Sequence, residues 1–111
     1  MAGEMGIVIT SPQNSKIKLV RALLSRPRER REVGAFVVEG VRLVEEVESR
    51  NWRFQFALYD DSLNERGRSL VERLVARGVE VEEASKQLMK SLSDTETPQG
   101  LLAVIEISSQ P

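Results

Sequence analysis

Apolar side chains recur at helical spacing in the stretch ITSPQNSKIKLVRALLS, residues 9–25. At about 100° per residue they gather on one arc of a helix, and Lys18 and Arg21 lie on the opposite side. This pattern predicts an amphipathic helix that buries one face in a core. We expect Pro27 to end it, because proline disfavours helical geometry in the preceding residue and lacks an amide donor. The candidate N-caps are Ser11, Asn14 and Ser15.

Strand-like and helical patterns alternate along the rest of the chain. Short apolar runs predict strands, and apolar residues three to four positions apart predict helices. This order favours an α/β fold in which a parallel or mostly parallel sheet lies between two helical layers. The strands are predicted at AFVV (35–38), FQFALYD (54–60), VEVEEA (79–84) and LLAVIEI (101–107), and the turn-rich DTETPQG (94–100) precedes the last one. The helices are predicted at VRLVEEVESR (41–50), SLNERGRSLVERLVARG (62–78) and SKQLMKSLS (85–93).

The composition of the chain limits both its architecture and its chemistry. Its 111 residues suit a single domain over residues 1–111, with residues 1–9 as a flexible or extended lead-in. The chain has no histidine and no cysteine. It therefore has no imidazole base, thiol nucleophile or disulfide, and we expect no metal site of the usual nitrogen and sulfur ligands. No apolar run approaches the roughly 20 residues of a membrane span, and a cytoplasmic location is the default expectation.

Charge is unevenly distributed, although the whole chain carries a net charge of −1. Residues 1–42 contain eight Lys or Arg and four Asp or Glu, whereas residues 43–111 contain eight and thirteen. Binding of a polyanion depends on the local field of one face and not on the total charge. The N-terminal third is therefore the place where we expect an anionic partner to bind.

The basic residues of this third form two groups. Lys16 would lie in the first turn of the predicted helix, where a cation opposes the positive end of the helix dipole and a bound phosphate would offset that cost. The segment RPRERREVG (26–34) supplies the second group, and arginine suits phosphate because its planar fork makes two parallel hydrogen bonds. The alternative is a solvated face partly neutralised by Glu29 and Glu32. Few aromatic residues lie nearby to stack on bases. For a nucleic-acid partner we therefore expect contacts with its backbone and recognition of its shape, with little recognition of individual bases.

Several motifs follow one another along residues 10–107. They are N-x-K-x-K at Asn14, Lys16 and Lys18, then Arg30, then FVVEG (36–40) followed by RLVEE (42–46), and finally TPQG (97–100). In their order and spacing these motifs together resemble the N-terminal substrate-binding domain of the SpoU (TrmH-like) RNA 2′-O-ribose methyltransferases.

The resemblance implies a three-layer α/β/α sandwich like that of the kink-turn-binding ribosomal proteins. It also implies a separate C-terminal catalytic domain, absent from this chain, which binds S-adenosylmethionine and forms a homodimer in the full-length protein. No catalytic or cofactor-binding residue is therefore expected in this chain, and Glu39 and Gly40 are expected to be scaffold. The resemblance gives RNA-facing roles to Asn14, Lys16, Lys18 and Arg30, and charge and helical phase add Arg21, Arg28 and Arg31.

We therefore predict an RNA-binding substrate-recognition domain of an rRNA or tRNA ribose 2′-O-methyltransferase, with structured rRNA favoured as the partner. This chain alone is expected to be inactive as an enzyme. One alternative is a free-standing ribosome-associated RNA-binding protein, and another is a protein interaction module whose acidic C-terminal half docks a basic partner. A third is a small hydrolase that uses Glu39 with Asp60 or Asp61, at the ends of two neighbouring strands.

Overall fold

The computed structural model describes residues 7–93 and 98–107. Within them, helices and strands alternate in the predicted order, and one further helix is present. Each predicted element is confirmed, with shifts of a few residues at its ends. The helices are α1 (Ser15–Ser25), α2 (Pro27–Val33), α3 (Val41–Ser49), α4 (Glu65–Ala76) and α5 (Lys86–Ser91). The strands are β1 (Ala35–Glu39), β2 (Phe54–Tyr59), β3 (Val81–Glu83) and β4 (Leu101–Glu106).

The amphipathic pattern near the N-terminus produces α1. Asn14 is its N-cap, and the side-chain Oδ1 accepts a hydrogen bond from the Lys16 amide at 2.8 Å. This bond satisfies one of the amides that the start of a helix leaves without a partner. The apolar stripe faces the core, as the spacing predicts. The buried residues of α1 are Ile17, Val20 and Leu23.

Pro27 begins a second helix as well as ending the first. Arg26, between the two helices, is extended with φ −131° and ψ 102°, as expected for a residue that precedes proline. Pro27 then occupies the first turn of α2, where an amide would have no helical partner anyway. Gly34 ends α2 in the left-handed conformation at φ 76°. The prediction that Pro27 ends α1 is confirmed. The start of α2 was not predicted, although proline favours the first turn of a helix as well as the end of the preceding one.

The four described strands form one mixed sheet in the order β1-β4-β2-β3. β4 runs antiparallel to both of its neighbours, and among the strands only β2 and β3 pair in parallel. The expectation of a mostly parallel sheet is therefore wrong, although the α/β class is correct. A parallel connection must carry the chain back along the sheet, and the six residues of α5 span only about 9 Å. β4 instead starts beside the end of β2, where Leu101 pairs with Tyr59.

Helices cover both faces of the sheet, which gives the three-layer arrangement that the sequence predicts. On one face α1 and α5 pack over Leu102 and Val104 of β4. On the other face α3 and α4 pack over Leu101, Ala103 and Ile105 of the same strand. Both sides of β4 are therefore buried, and this explains why its sequence is an unbroken apolar run without polar alternation.

Residues just before α1 lie along the edge of the sheet beside β3. Ile9 is buried and forms a parallel bridge with Ala84, and its amide donates to the Glu83 carbonyl at 2.9 Å. The first six residues of the predicted lead-in lie outside the described part of the chain, as do residues 94–97 of the predicted turn. None of the described helices is long and apolar enough to cross a membrane.

Candidate nucleic-acid interface

Cations without a carboxylate partner are concentrated on α1 and α2. Lys18, Arg28 and Arg31 are exposed, and within the described part of the chain none of them forms an ion pair. Arg21 is also exposed and donates from Nη2 to the Ser91 hydroxyl at 3.1 Å. Residues three apart share one side of a helix, so Lys18 lies beside Arg21 on α1 and Arg28 beside Arg31 on α2. We call Lys18, Arg21, Arg28 and Arg31 the basic surface.

The two glutamates of α2 do not neutralise the basic surface by contact. Neither Glu29 nor Glu32 forms an ion pair with any residue that the structure describes. Residues 15–33 contain seven Lys or Arg and only these two carboxylates. The first two helices therefore keep an excess of positive charge, and no ion pair among the described residues supports the partly neutralised face that was the alternative expectation.

Several arginines of the α3–α4 layer contact glutamates, although Arg42 and Arg68 form no ion pair with a described residue. Arg66 contacts Glu45 at 2.6 Å, and Arg73 contacts Glu48 at 3.2 Å. The hydrogen bond from Arg66 lowers the pKa of the Glu45 carboxyl and raises the pKa of Arg66 itself. A guanidinium that already has a carboxylate partner is less available to a phosphate, so the two helical layers differ in their capacity to bind a polyanion. Further pairs join Arg50 to Glu46 and Arg77 to Glu48.

Lys16 lies on the side of α1 opposite Lys18, because positions two apart in a helix are separated by about 200°. Its Nζ contacts Glu80 and Glu82, each at 3.0 Å, and lies 5.7 Å from the centre of the Phe56 ring. Burial lowers the pKa of Lys16, but the hydrogen bonds to the two carboxylates outweigh it and leave the pKa above its ordinary value. Two carboxylates of the protein thus offset the cation that opposes the helix dipole.

Asn14 and Arg30 also have partners inside the domain. Asn14 caps α1, and Arg30 donates from Nη1 to the Leu23 carbonyl at 2.6 Å in the last turn of the same helix. A cation at this end stabilises a helix, since the last carbonyls and the dipole are negative there. The family resemblance implies RNA-facing roles for both residues and for Lys16. The structure gives each an internal contact, and their roles toward RNA stay predictions.

A hydrogen-bonded corner joins the FVVEG and PQG motifs at one end of the sheet. Gln99 Oε1 accepts from the Val41 amide at 2.8 Å and so caps α3, because its N-cap Gly40 has no side chain for this purpose. The Gly40 amide donates to the Leu101 carbonyl at 2.9 Å. The predicted turn at the PQG motif therefore also supplies the side chain that caps the N-terminus of α3. Thr97 of that turn lies outside the described residues.

Glu39 and Asp60, at the ends of β1 and β2, both accept hydrogen bonds within the domain. The Ser93 hydroxyl donates to Glu39 Oε2, and the Ser62 amide donates to Asp60 Oδ1 at 2.8 Å. Asp60 is only 5% exposed, and a Cβ on Gly100 would lie 2.6 Å from its Oδ1. The described residues contain no cluster of acidic side chains placed to hold a metal ion. Both carboxylates support the corner, and the hydrolase alternative gains no support from this geometry.

Comparison with known proteins assigns the chain to a family. Residues 14–103, which are most of the chain, match the family model of the MRM3-like substrate-binding domain. The chain belongs to this family. In this MRM3-like domain the matched range runs from the N-cap of α1 into β4, and it contains both the basic surface and the corner. No curated protein matches the sequence.

Solved structures of RNA methyltransferases resemble the MRM3-like domain, which confirms the likeness to the SpoU family. An rRNA methyltransferase from Sinorhizobium meliloti has a TM-score of 0.73 and 25% identity, with 90% of this chain and 36% of that one covered. An RNA 2′-O-ribose methyltransferase has a TM-score of 0.78 and 28% identity, with 91% of this chain and 38% of that one covered. The SpoU methyltransferase AviRb from Streptomyces viridochromogenes has a TM-score of 0.71 and 26% identity, with 85% of this chain and 33% of that one covered. The domain thus spans only 33–38% of the length of these proteins.

Several residues that shape this MRM3-like domain form contacts that the sequence pattern does not indicate. The pattern places Gln99 only in a turn, although its side chain caps α3 from 58 residues away. It places Glu80 and Glu82 only on an exposed strand, although they hold Lys16. Ser91, the partner of Arg21, lies 70 residues from it. Contacts over such separations depend on the topology of the sheet, and no local spacing reports them.

Proposed function

We propose that this MRM3-like domain binds structured RNA through the basic surface and holds it for ribose 2′-O-methylation by a separate catalytic domain. Ribosomal RNA is the favoured partner. The contribution of this domain is one of position, since a hydroxyl held at the right distance and angle reacts as if present at very high concentration. We assign no catalytic residue to this chain.

The unequal pairing of cations carries the proposal. The basic surface presents exposed cations without carboxylate partners among the described residues, whereas Arg66 and Arg73 on the other layer contact glutamates. A cation that neutralises an RNA phosphate releases a condensed counterion, and this release drives binding. The guanidinium groups of Arg28 and Arg31 suit phosphate oxygens in pairs, and Lys18 adds a point charge. Double-stranded RNA is recognised mainly through such backbone contacts and through shape.

The features of the full-length protein are proposed from its likeness to longer proteins. The methyltransferase from Sinorhizobium meliloti and AviRb are both known with AdoMet bound, and the present chain matches about a third of each. We place S-adenosylmethionine and the homodimer interface in a C-terminal catalytic domain, and the protein in the cytoplasm. Two hollows beside α1, both lined by Arg21 and Ser91, have no carboxylate in their described lining, so the ammonium group of the cofactor would find no acidic partner there.

Fluorescence anisotropy with labelled fragments of structured rRNA tests this function. The domain is expected to bind such fragments at low salt, and unlabelled rRNA is expected to displace them at a lower concentration than tRNA does. Equal displacement by tRNA would contradict the preference for rRNA. Absence of binding to either RNA at low salt would contradict the function itself. A pull-down after nuclease treatment is expected to retain no partner, and a protein partner that persists would favour the interaction-module alternative.

A further inference from the structure

Arg21 stands between two hollows in the groove that separates α1 from α5. The hollows have volumes of about 320 and 390 Å³, and Arg21 and Ser91 line both of them. Both hollows are depressions open to solvent and not enclosed cavities. The groove therefore offers space for a compact group, such as a single nucleotide, to lie against it with one side exposed to solvent.

The lining of the groove combines apolar surface with hydrogen-bonding groups. Leu88 and Leu92 are buried and provide apolar surface in the first and second hollow, respectively. Thr10, Ser85 and Gln87 add two hydroxyls and an amide to the first hollow. A nucleobase presents the matching surfaces, with apolar faces and a hydrogen-bonding edge. No carboxylate is found in the described lining, so a phosphate would meet no like charge there.

Hydrogen bonds hold Arg21 at the wall between the hollows. Its Nη2 donates to Ser91 Oγ at 3.1 Å, and the Ser91 hydroxyl donates in turn to the Leu88 carbonyl at 2.6 Å. A guanidinium has five N–H donors, so this bond leaves most of them for a ligand. Arg21 also belongs to the basic surface. The groove therefore opens beside the cations that we propose to contact RNA.

We propose that the α1–α5 groove holds one unpaired nucleotide of the bound RNA, with its base beside Ser85 and Gln87 and its phosphate on Arg21. The inference rests on the proposed function and adds a specific contact to a surface that otherwise senses charge and shape. Proteins read RNA sequence mainly at unpaired bases, because side chains cannot enter the deep groove of a continuous A-form helix. The groove thus lets the domain distinguish a bulge or loop from an uninterrupted duplex.

Binding to two RNA duplexes tests the groove. One duplex is fully paired, and the other is identical except for a single bulged 2-aminopurine. The wild-type domain is expected to bind the bulged duplex about tenfold more tightly, which corresponds to one base contact. Acrylamide is expected to quench the fluorescence of 2-aminopurine less in the complex than in free RNA, because the groove shields the base.

Arg21→Ala and Lys18→Ala separate the groove from the general charge. Each removes one cation from the same side of α1, but Lys18 does not line the groove. Lys18→Ala is expected to weaken binding of both duplexes by the same factor, whereas Arg21→Ala removes most of the preference for the bulge. Gln87→Ala is expected to reduce this preference and to leave affinity for the paired duplex unchanged.

The outcomes distinguish the groove from the proposed function. Equal affinity of the wild-type domain for the two duplexes, together with strong salt dependence, overturns the groove and leaves the proposed function standing. Failure to bind either duplex at low salt overturns both. Circular dichroism establishes that each variant is folded. Should Arg21→Ala unfold, Gln87→Ala decides, and an unchanged preference for the bulge in that folded variant overturns the inference.

Discussion

Neutralising the basic surface is expected to remove most of the salt dependence of RNA binding. The change is the triple variant Lys18→Gln, Arg28→Gln and Arg31→Gln. These side chains are exposed and form no ion pair with described residues, and glutamine favours helices about as well as lysine and arginine. The fold should therefore persist, and any lost affinity reports lost contacts with RNA.

The size of the effect follows from the number of exposed cations. Four phosphate contacts at about 0.7–0.9 each give a slope of about −2.8 to −3.6 for log affinity against log salt. Raising the salt from about 50 to about 200 mM then weakens wild-type binding by about 50- to 150-fold. The triple variant keeps Arg21 alone, so the same change of salt should weaken its binding only about threefold. Anisotropy titrations at several salt concentrations measure both slopes.

A matched variant on the other layer provides the control. Arg66→Gln, Arg73→Gln and Arg77→Gln remove the same total charge, but these side chains contact glutamates in the free domain. This variant is expected to keep a slope close to that of the wild type. If both triple variants lost the same share of the slope, net charge and not the basic surface would control binding. A flat response in the wild-type domain would refute the electrostatic argument altogether.

Three further predictions concern the contacts that support the site. Lys16→Met is expected to lower the free energy of unfolding by about 1 kcal/mol or less, since this ion pair is partly solvated. The hydrogen bond from Lys16 lowers the pKa of Glu80, so the stability that this pair contributes is present above pH 4.5 and is lost as the pH falls below it. Urea titrations above and below pH 4.5 should therefore show a smaller decrease in the free energy of unfolding on acidification for the variant than for the wild type. Gln99→Ala should cost about 0.5–2 kcal/mol in urea unfolding because α3 loses its cap, with unaltered stability as the contrary result. Gly100→Ala should lower the melting temperature more than Gly34→Ala, since the two have φ of 75° and 76° but only the first would place a Cβ 2.6 Å from a buried carboxylate; equal shifts would refute the clash.

The elements of the fold were predictable because each buries a periodic set of side chains. The spacing of Ile17, Val20 and Leu23 identifies α1 from its sequence, since one stripe of the helix is enclosed by the core. The direction of β4 was not predictable in this way. The run LLAVIE shows that both faces of the strand are buried, but it reads the same for a parallel and an antiparallel neighbour. Its direction depends on the end of the sheet at which the chain lies after α5.

The candidate site was predictable in charge and only partly in geometry. The exposure of Lys18 follows from its phase in the predicted helix, and that of Arg28 from the charge of its segment, which are local properties. The different environment of Lys16 does not, because Glu80 and Glu82 approach it only when α1 crosses the edge of the sheet. Position in a helix therefore indicates which cations face away from the core, and the sheet determines which of them find an internal partner.

The distribution of carboxylates explains how a chain with a net charge of −1 presents a positive surface. Glu45, Glu46 and Glu48 of α3 contact arginines at α3 and α4, and Glu80 and Glu82 at β3 contact Lys16, so part of the negative charge is matched by nearby cations. Interactions between exposed charges weaken beyond about 8–10 Å at moderate salt, so these matched carboxylates add little field at α2. Folding thus leaves the charge excess of the N-terminal third on α1 and α2. The same screening makes RNA binding through these helices sensitive to salt, which is the property that the triple variants measure.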